Sequence, residues 1–222
     1  MSLSLVIANK AYSSWSMRPW LLLRYFEIAF EEIVIPMDQA SSKALMLSHA
    51  PTGKCPSLRD GDLVVWDSLA IIEYLAERYP ELPVWPRDPG ARAVARSLAA
   101  EMHSGFLPLR RNCPMNMRRA PAALPLDPET RAGVAADVAR IEEAWRAARA
   151  RFGAASGPFL FGGFSAADAM FAPVVNRFEI YDLVAAADTK AYMDAVKALP
   201  AWRDWQGGAD AESWHLARID AV

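Results

Sequence analysis

Cysteine is almost absent. Cys55 and Cys113 are the only two in 222 residues, far apart and in no CxxC pair, which excludes a disulfide scaffold and a cysteine-rich zinc site. The three histidines, His49, His103 and His215, share no ligand spacing, so no metal is expected. No block of five or six like charges occurs, and 24 Lys and Arg against 26 Asp and Glu leave a net charge of −2. That balance offers no electrostatic footprint for a phosphate backbone or an anionic lipid surface, so neither nucleic acid nor a membrane is an expected partner. The longest charge-free stretch, 152–167, is too short to span a bilayer and is broken by Gly153, Gly157, Pro158, Gly162 and Gly163. The first residues lack a basic segment followed by a long apolar run and a small-residue cleavage site; a cytoplasmic protein is the expectation.

What is present is a chain that is 53% hydrophobic, enough for a large core, and two domains are expected from its internal pattern. Leu3 to Ala8 reads as a strand, Asn9 to Ser14 as a polar loop and Met17 to Ile28 as a helix. Glu32 to Met37 carries a second Val/Ile run, far enough from the first for a helical crossover between parallel strands. Two short apolar runs flank Asp60-Gly61 between Ser57 and Trp66, a hairpin signal that makes the sheet mixed. Asp67 can cap a helix carrying Leu69, Ile72, Leu75 and Tyr79 and ending before Pro80. Pro83, Pro86 and Pro89 stiffen the connection 81–90, where the domain boundary is placed.

Beyond it the pattern is helical. Val94, Leu98, Met102, Phe106 and Leu109 form one stripe, and Val134, Val138, Ile141, Trp145, Ala148 and Phe152 another, with Asp127-Pro128 as the start of the second helix. Further helices follow from Ser165 and around Thr189, and no strand is expected after Trp66. The fold class is therefore α/β followed by all-α.

Several residue groups can carry chemistry. Tyr12, Ser13, Ser14 and Ser16 lie at the start of a helix, where free amides and the dipole favour an anion; a serine there is equally a plain N-cap. In Pro-Thr-Gly-Lys-Cys-Pro, 51–56, Pro56 can adopt cis geometry and present the backbone of Cys55 at the sheet edge. No His or second Cys lies nearby in sequence to lower the Cys55 pKa, so its thiol reads as packing rather than catalytic. Asp67-Ser68 can hold an ammonium and a carboxylate together, or serve only as a cap with a polar first turn. Ser165-Ala-Ala-Asp168 has the form of a capping box with Asp in place of Glu.

Taken together, Ser-Ser-Trp-Ser-Met-Arg-Pro-Trp (13–20), Thr-Gly-Lys-Cys-Pro-Ser-Leu (52–58), Asp-Ser-Leu-Ala-Ile-Ile-Glu-Tyr-Leu (67–75) and Phe-Ser-Ala-Ala-Asp (164–168) resemble the cytosolic glutathione transferases in order and spacing. The resemblance implies a thioredoxin-like domain, 1–80, that binds glutathione, and an all-helical domain, 91–222, that shapes the electrophile pocket, usually in a homodimer. It assigns thiol activation to Ser13, with Ser14 second and Tyr12 third. Cys55 offers its backbone to the cysteinyl part of glutathione and Pro56 is cis. Asp67 and Ser68 hold the γ-glutamyl end, Lys54 assists with a carboxylate, and Trp15 adjoins the same site.

The implied reaction lowers the thiol pKa from near 8.5 through a Ser13 hydrogen bond and the helix N-terminus, and the thiolate attacks a small apolar electrophile. Met102, Phe106 and Arg110 are placed against that electrophile, with Met115 and Phe171 as secondary candidates; Met102 and Phe106 read equally as helix core. The serine loop also resembles the zeta class, which includes a maleylacetoacetate isomerase, although Trp15 stands where that class has cysteine. A non-catalytic ligand-binding or regulatory protein on the same fold is the alternative of a different kind. A thiol-disulfide or dehydroascorbate reductase would need a cysteine in place of Ser13 or Ser14.

Overall fold

The computed structural model describes residues 3–153 and 156–222. Its first part runs β1 (Leu3–Ile7), α1 (Ser14–Tyr25), β2 (Phe30–Val34), α2 (Ser42–His49), β3 (Ser57–Asp60), β4 (Leu63–Trp66) and α3 (Ser68–Arg78). The strands form one sheet in the order β2-β1-β3-β4, with β1 and β2 parallel and the other two pairs antiparallel. Leu3, Leu5, Val6 and Ile7 are all buried, as a strand covered on both faces requires. Gly61, at φ 59°, takes the left-handed position in the two-residue turn joining β3 to β4.

The helices that follow are α4 (Pro89–Ser104), α5 (Leu107–Asn112), α6 (Pro128–Ala148), α7 (Ala166–Ile180), α8 (Ala187–Lys197), α9 (Pro200–Ala211) and α10 (Ala217–Asp220). A π-helical turn, Arg149–Gly153, extends α6. Among the described residues only two isolated bridges, Phe159 to Gly162 and Phe161 to Gly163, add extended pairing after Trp66. This is a thioredoxin-like βαβαββα domain followed by an all-helical one, and α7 packs against both α1 and α4 at the centre of the core. No helix among the described residues is long and apolar enough to cross a membrane.

Three elements differ from the expectations. The second strand lies at 30–34 rather than 32–37. As an edge strand it leaves Glu31 and Glu32 exposed, so burial does not mark its limits. Helix α2 has no counterpart in the sequence pattern: of its residues only Ser42 is buried, and an unburied helix carries no apolar periodicity. The stripe from Val94 to Leu109 belongs to two helices. Pro108 has no amide hydrogen and cannot continue a helix past Ser104, so the chain breaks at Gly105 and Phe106, where Phe106 turns left-handed at φ 57°. It restarts with Pro108 in the first turn of α5.

Candidate functional site

A cavity of about 460 Å3 opens beside α3, lined by Trp15, Thr52, Lys54, Cys55, Pro56, Trp66, Asp67 and Ser68. Three local structures build it. The polar loop after β1 delivers Trp15 in the first turn of α1. The segment before β3 brings Lys54 and a cis Cys55-Pro56 peptide. Asp67, held at φ 78° where L-residues are rare, turns the chain from β4 into α3.

Asp67 caps α3, its Oδ1 accepting from the amides of Leu69 at 2.8 Å and Ala70 at 3.4 Å. Its Oδ2 lies 3.3 Å from Nε2 of His103 on α4, so one carboxylate links the two domains at the cavity rim. Ser68 follows at the first helical position, its side chain buried and its Oγ without a hydrogen-bond partner. An uncompensated buried hydroxyl at a helix N-terminus, on the wall of a cavity, suits an incoming acceptor or anion.

Behind Trp15 the electrostatics are unusual. The guanidinium carbons of Arg18 and Arg110 lie 4.3 and 4.8 Å from the centroid of its ring, and His103 meets it edge to face at 5.1 Å. Arg18 is buried, and its Nε and Nη1 have no partner. Burial above all, then the nearby Arg177 and Arg110, pulls its pKa down to about 9, opposed by Asp67. Arg177 is likewise pulled down to about 10 by burial and by Arg110. Arg110 donates to the carbonyls of His103 and Gly105, and Arg177 to those of Cys113 and Pro173. Among the described residues none of the three forms an ion pair with a carboxylate. Burial pushes the Cys55 thiol up to about 12, so it stays protonated near neutral pH and is a poor nucleophile. No group of three or more His, Cys, Asp or Glu among the described residues could hold a metal.

Of the residues expected at the site, Trp15, Lys54, Cys55, Pro56, Asp67 and Ser68 converge on this cavity, and Arg110 stands behind Trp15. Ser13 and Ser14 are not in its lining. Ser13 is the N-cap of α1: its Oγ donates to Ser16 Oγ at 2.8 Å and accepts from the Ser16 amide at 3.4 Å. Ser14, the first residue of α1, is half-buried.

Tyr12 is not in the cavity's lining: its hydroxyl faces the C-terminal segment, donating to Asp220 at 2.8 Å and accepting from Arg118 at 2.5 Å. Met102 and Phe106 do not face an open electrophile pocket either. Both are buried in the core, Met102 completely: Met102 lies on α4, which packs against α7, and Phe106 lies in the break between α4 and α5. Met115 and Phe171 are buried as well, Phe171 edge to face with Trp145. Sequence reasoning missed Thr52, Trp66, His103, Arg18 and Arg177. Thr52 and Arg18 lie inside motifs already singled out and Trp66 adjoins one, whereas nothing local marks His103 and Arg177.

A thioredoxin-like domain with a helical partner, a cis-proline segment and a polar helix start on one cavity defines a class of two-domain proteins built around a small polar ligand. Residues 12–78 match the family model described as the glutathione S-transferase N-terminal domain, and residues 129–205 its C-terminal domain. The chain belongs to the glutathione S-transferase family. It is 35% identical over 96 residues to a probable maleylacetoacetate isomerase of Caenorhabditis elegans, covering 43% of this chain and 44% of that protein. It is 50% identical over 58 residues to glutathione S-transferase Z1 of Arabidopsis thaliana, 26% of each. The alignments thus span less than half the length of these curated relatives. A glutathione transferase homolog from Burkholderia GL BGR1, solved with bound glutathione, has the same fold at a TM-score of 0.68 and 23% identity, over 96% of this chain and 100% of that one.

Proposed function

We propose that the chain is an enzyme, a glutathione S-transferase that binds glutathione in the cavity beside α3 and activates its thiol. The observation that carries this reading is the buried, unpartnered Ser68 Oγ at the start of α3, on one wall with Asp67, Cys55 and Lys54. The γ-glutamyl carboxylate takes the Ser68 hydroxyl at the helix N-terminus, and Asp67 Oδ2 takes the ammonium. The backbone of Cys55 meets the cysteinyl residue, Lys54 the glycyl carboxylate, and Trp15 packs alongside.

Activation falls to Ser13. A hydroxyl can exchange donor and acceptor roles, so Ser16, which already accepts from the Ala8 amide at 3.1 Å, can donate to Ser13 Oγ and free the Ser13 proton for a thiolate. The thiol proton passes to solvent, the sulfur forms a bond to carbon, and the leaving group departs with the displaced electron pair. In this reading residues 1–80 form the glutathione-binding domain, 81–90 the connection and 91–222 the domain that shapes the second pocket. The working form is a cytoplasmic homodimer; two free thiols suit a reducing compartment.

A second reading, an isomerase of the maleylacetoacetate type, is favoured by one observation. The arginines behind Trp15 suit an anionic substrate better than an apolar one, and a relative bears that name. The test is a pH titration of bound glutathione by ultraviolet absorbance of its thiolate, followed by turnover of a neutral aryl halide and of a carboxylate-bearing cis-alkene. A depressed thiol pKa with turnover of the halide is expected. Binding without depression would overturn the transferase reading, and turnover of the alkene alone would establish the isomerase.

A further inference from the structure

The loop that carries Ser13 is held from a distance. Lys10 and Ala11 lie between β1 and α1, and their amides both donate to one side chain, Glu212, at 2.6 Å to Oε1 and 3.1 Å to Oε2. Glu212 stands just past α9, some 200 positions along the chain, and is half-buried. Arg118 completes the clasp. It donates to the carbonyls of Glu212 and Trp214, both at 2.7 Å, and to the Tyr12 hydroxyl, which in turn donates to Asp220. The Met117 amide donates to the Ala11 carbonyl at 2.9 Å. Residues 10, 11 and 12 are thus each fastened to the helical domain immediately before Ser13, and the Ser13 amide bonds back to the Asn9 carbonyl at 2.8 Å.

We infer that Glu212 is a positioning residue for thiol activation: its carboxylate sets the backbone of the 9–13 loop and so the place of the Ser13 hydroxyl. This rests on the glutathione reading above. A loop amide is satisfied equally well by water, so two charge-assisted bonds to one half-buried carboxylate serve geometry rather than solvation alone. Hydrogen-bond stabilisation of a developing charge depends steeply on the donor's position. A loop left to find its own conformation loses that alignment while keeping the cavity at α3, which the clasp does not touch.

The test uses the full chain with Glu212→Ala, Glu212→Gln and a control, Asp88→Ala, which removes the N-cap of α4 without contact to the loop. Glutamine places an NH2 group against an amide N–H, so it disturbs the loop with little change in volume and serves if the alanine variant does not fold. The readouts are the thiol pKa of bound glutathione, kcat and KM for glutathione, and Tm. Both Glu212 variants are expected to raise the thiol pKa by about one unit, a tenfold loss of thiolate, and to lower kcat more than they raise KM. Asp88→Ala is expected to lower Tm and leave the thiol pKa unmoved. A fall in Tm with an unchanged thiol pKa in the Glu212 variants would make Glu212 structural only and overturn the inference. Failure of the unsubstituted protein to bind glutathione would overturn the glutathione reading itself.

Discussion

Arg18→Met should make the protein more stable. The side chain is buried, two of its nitrogens are unpartnered, and Arg177 and Arg110 press on it with like charge. Its guanidinium remains charged in the working pH range, so the cost of burial appears as lost stability. Replacing a buried charge by an apolar side chain of similar volume commonly stabilises a protein by about 1–4 kcal/mol. The contact with the Trp15 ring at 4.3 Å offsets about 1–2 kcal/mol of that. The midpoints leave a net gain of about 1 kcal/mol, which corresponds to a rise in Tm of about 2–4 °C for a chain of this size. Differential scanning calorimetry on the apo protein measures it. A Tm lowered by 2 °C or more would refute the reasoning, because it would mean that Asp67, or a reorganised neighbour, neutralises Arg18 already. If the arginines await an anionic ligand, the same variant should lose affinity for a carboxylate-bearing substrate while gaining stability, whereas a neutral substrate should be unaffected.

Ser13→Ala should lower kcat for conjugation about a hundredfold while changing the KM for glutathione little; a comparable loss with Ser14→Ala alone would transfer the role to Ser14. Ser68→Ala should leave apo stability unchanged, since its hydroxyl has no partner to lose, yet weaken glutathione binding about tenfold by calorimetry; the opposite pattern would make Ser68 a packing residue. Asp168→Asn should destabilise by about 2–4 kcal/mol, because the Asp168 oxygens accept from the Leu160 and Ser165 amides and from two hydroxyls. Burial raises the Asp168 pKa to about 6, so the folded state holds its proton more tightly than the unfolded state. The stability advantage of the unsubstituted protein over the Asp168→Asn variant should therefore be largest near pH 4 and shrink as the pH rises toward 6, as urea titrations at several pH values would measure.

The parts of the site that can be read from sequence are those whose geometry is local. Asp67 and Ser68 adjoin an apolar helical repeat, Cys55 and Pro56 precede a hairpin, and each pair acts through backbone within a few residues of itself. The structure places both pairs on one cavity. Periodicity is insufficient for Met102 and Phe106, because an apolar stripe says that a face is covered without saying by what. The surroundings of Tyr12 are hidden in the sequence because its partners, Arg118 and Asp220, are more than a hundred residues away. The same limit hides Glu212.

The clearest pointer to the site is a property that no single residue carries. Elsewhere several helix starts are satisfied locally: Asp88 and Asp127 cap their helices and Asp168 closes a capping box. Eight buried side-chain nitrogen or oxygen atoms among the described residues lack a partner, and four of them, on Arg18, Ser68 and His103, belong to residues that line this cavity or touch Trp15 or Asp67 on its wall. A guanidinium, a hydroxyl and an imidazole nitrogen left unpaired around one cavity carry a cost that a bound ligand would offset. In the glutathione reading its two carboxylates go to Ser68 and Lys54, which leaves the arginines behind Trp15 for an anionic second substrate. The arginines lie on α1, α5 and α7, one from the first domain and two from the second. Ligand binding at this point should therefore also tighten the contact between the domains.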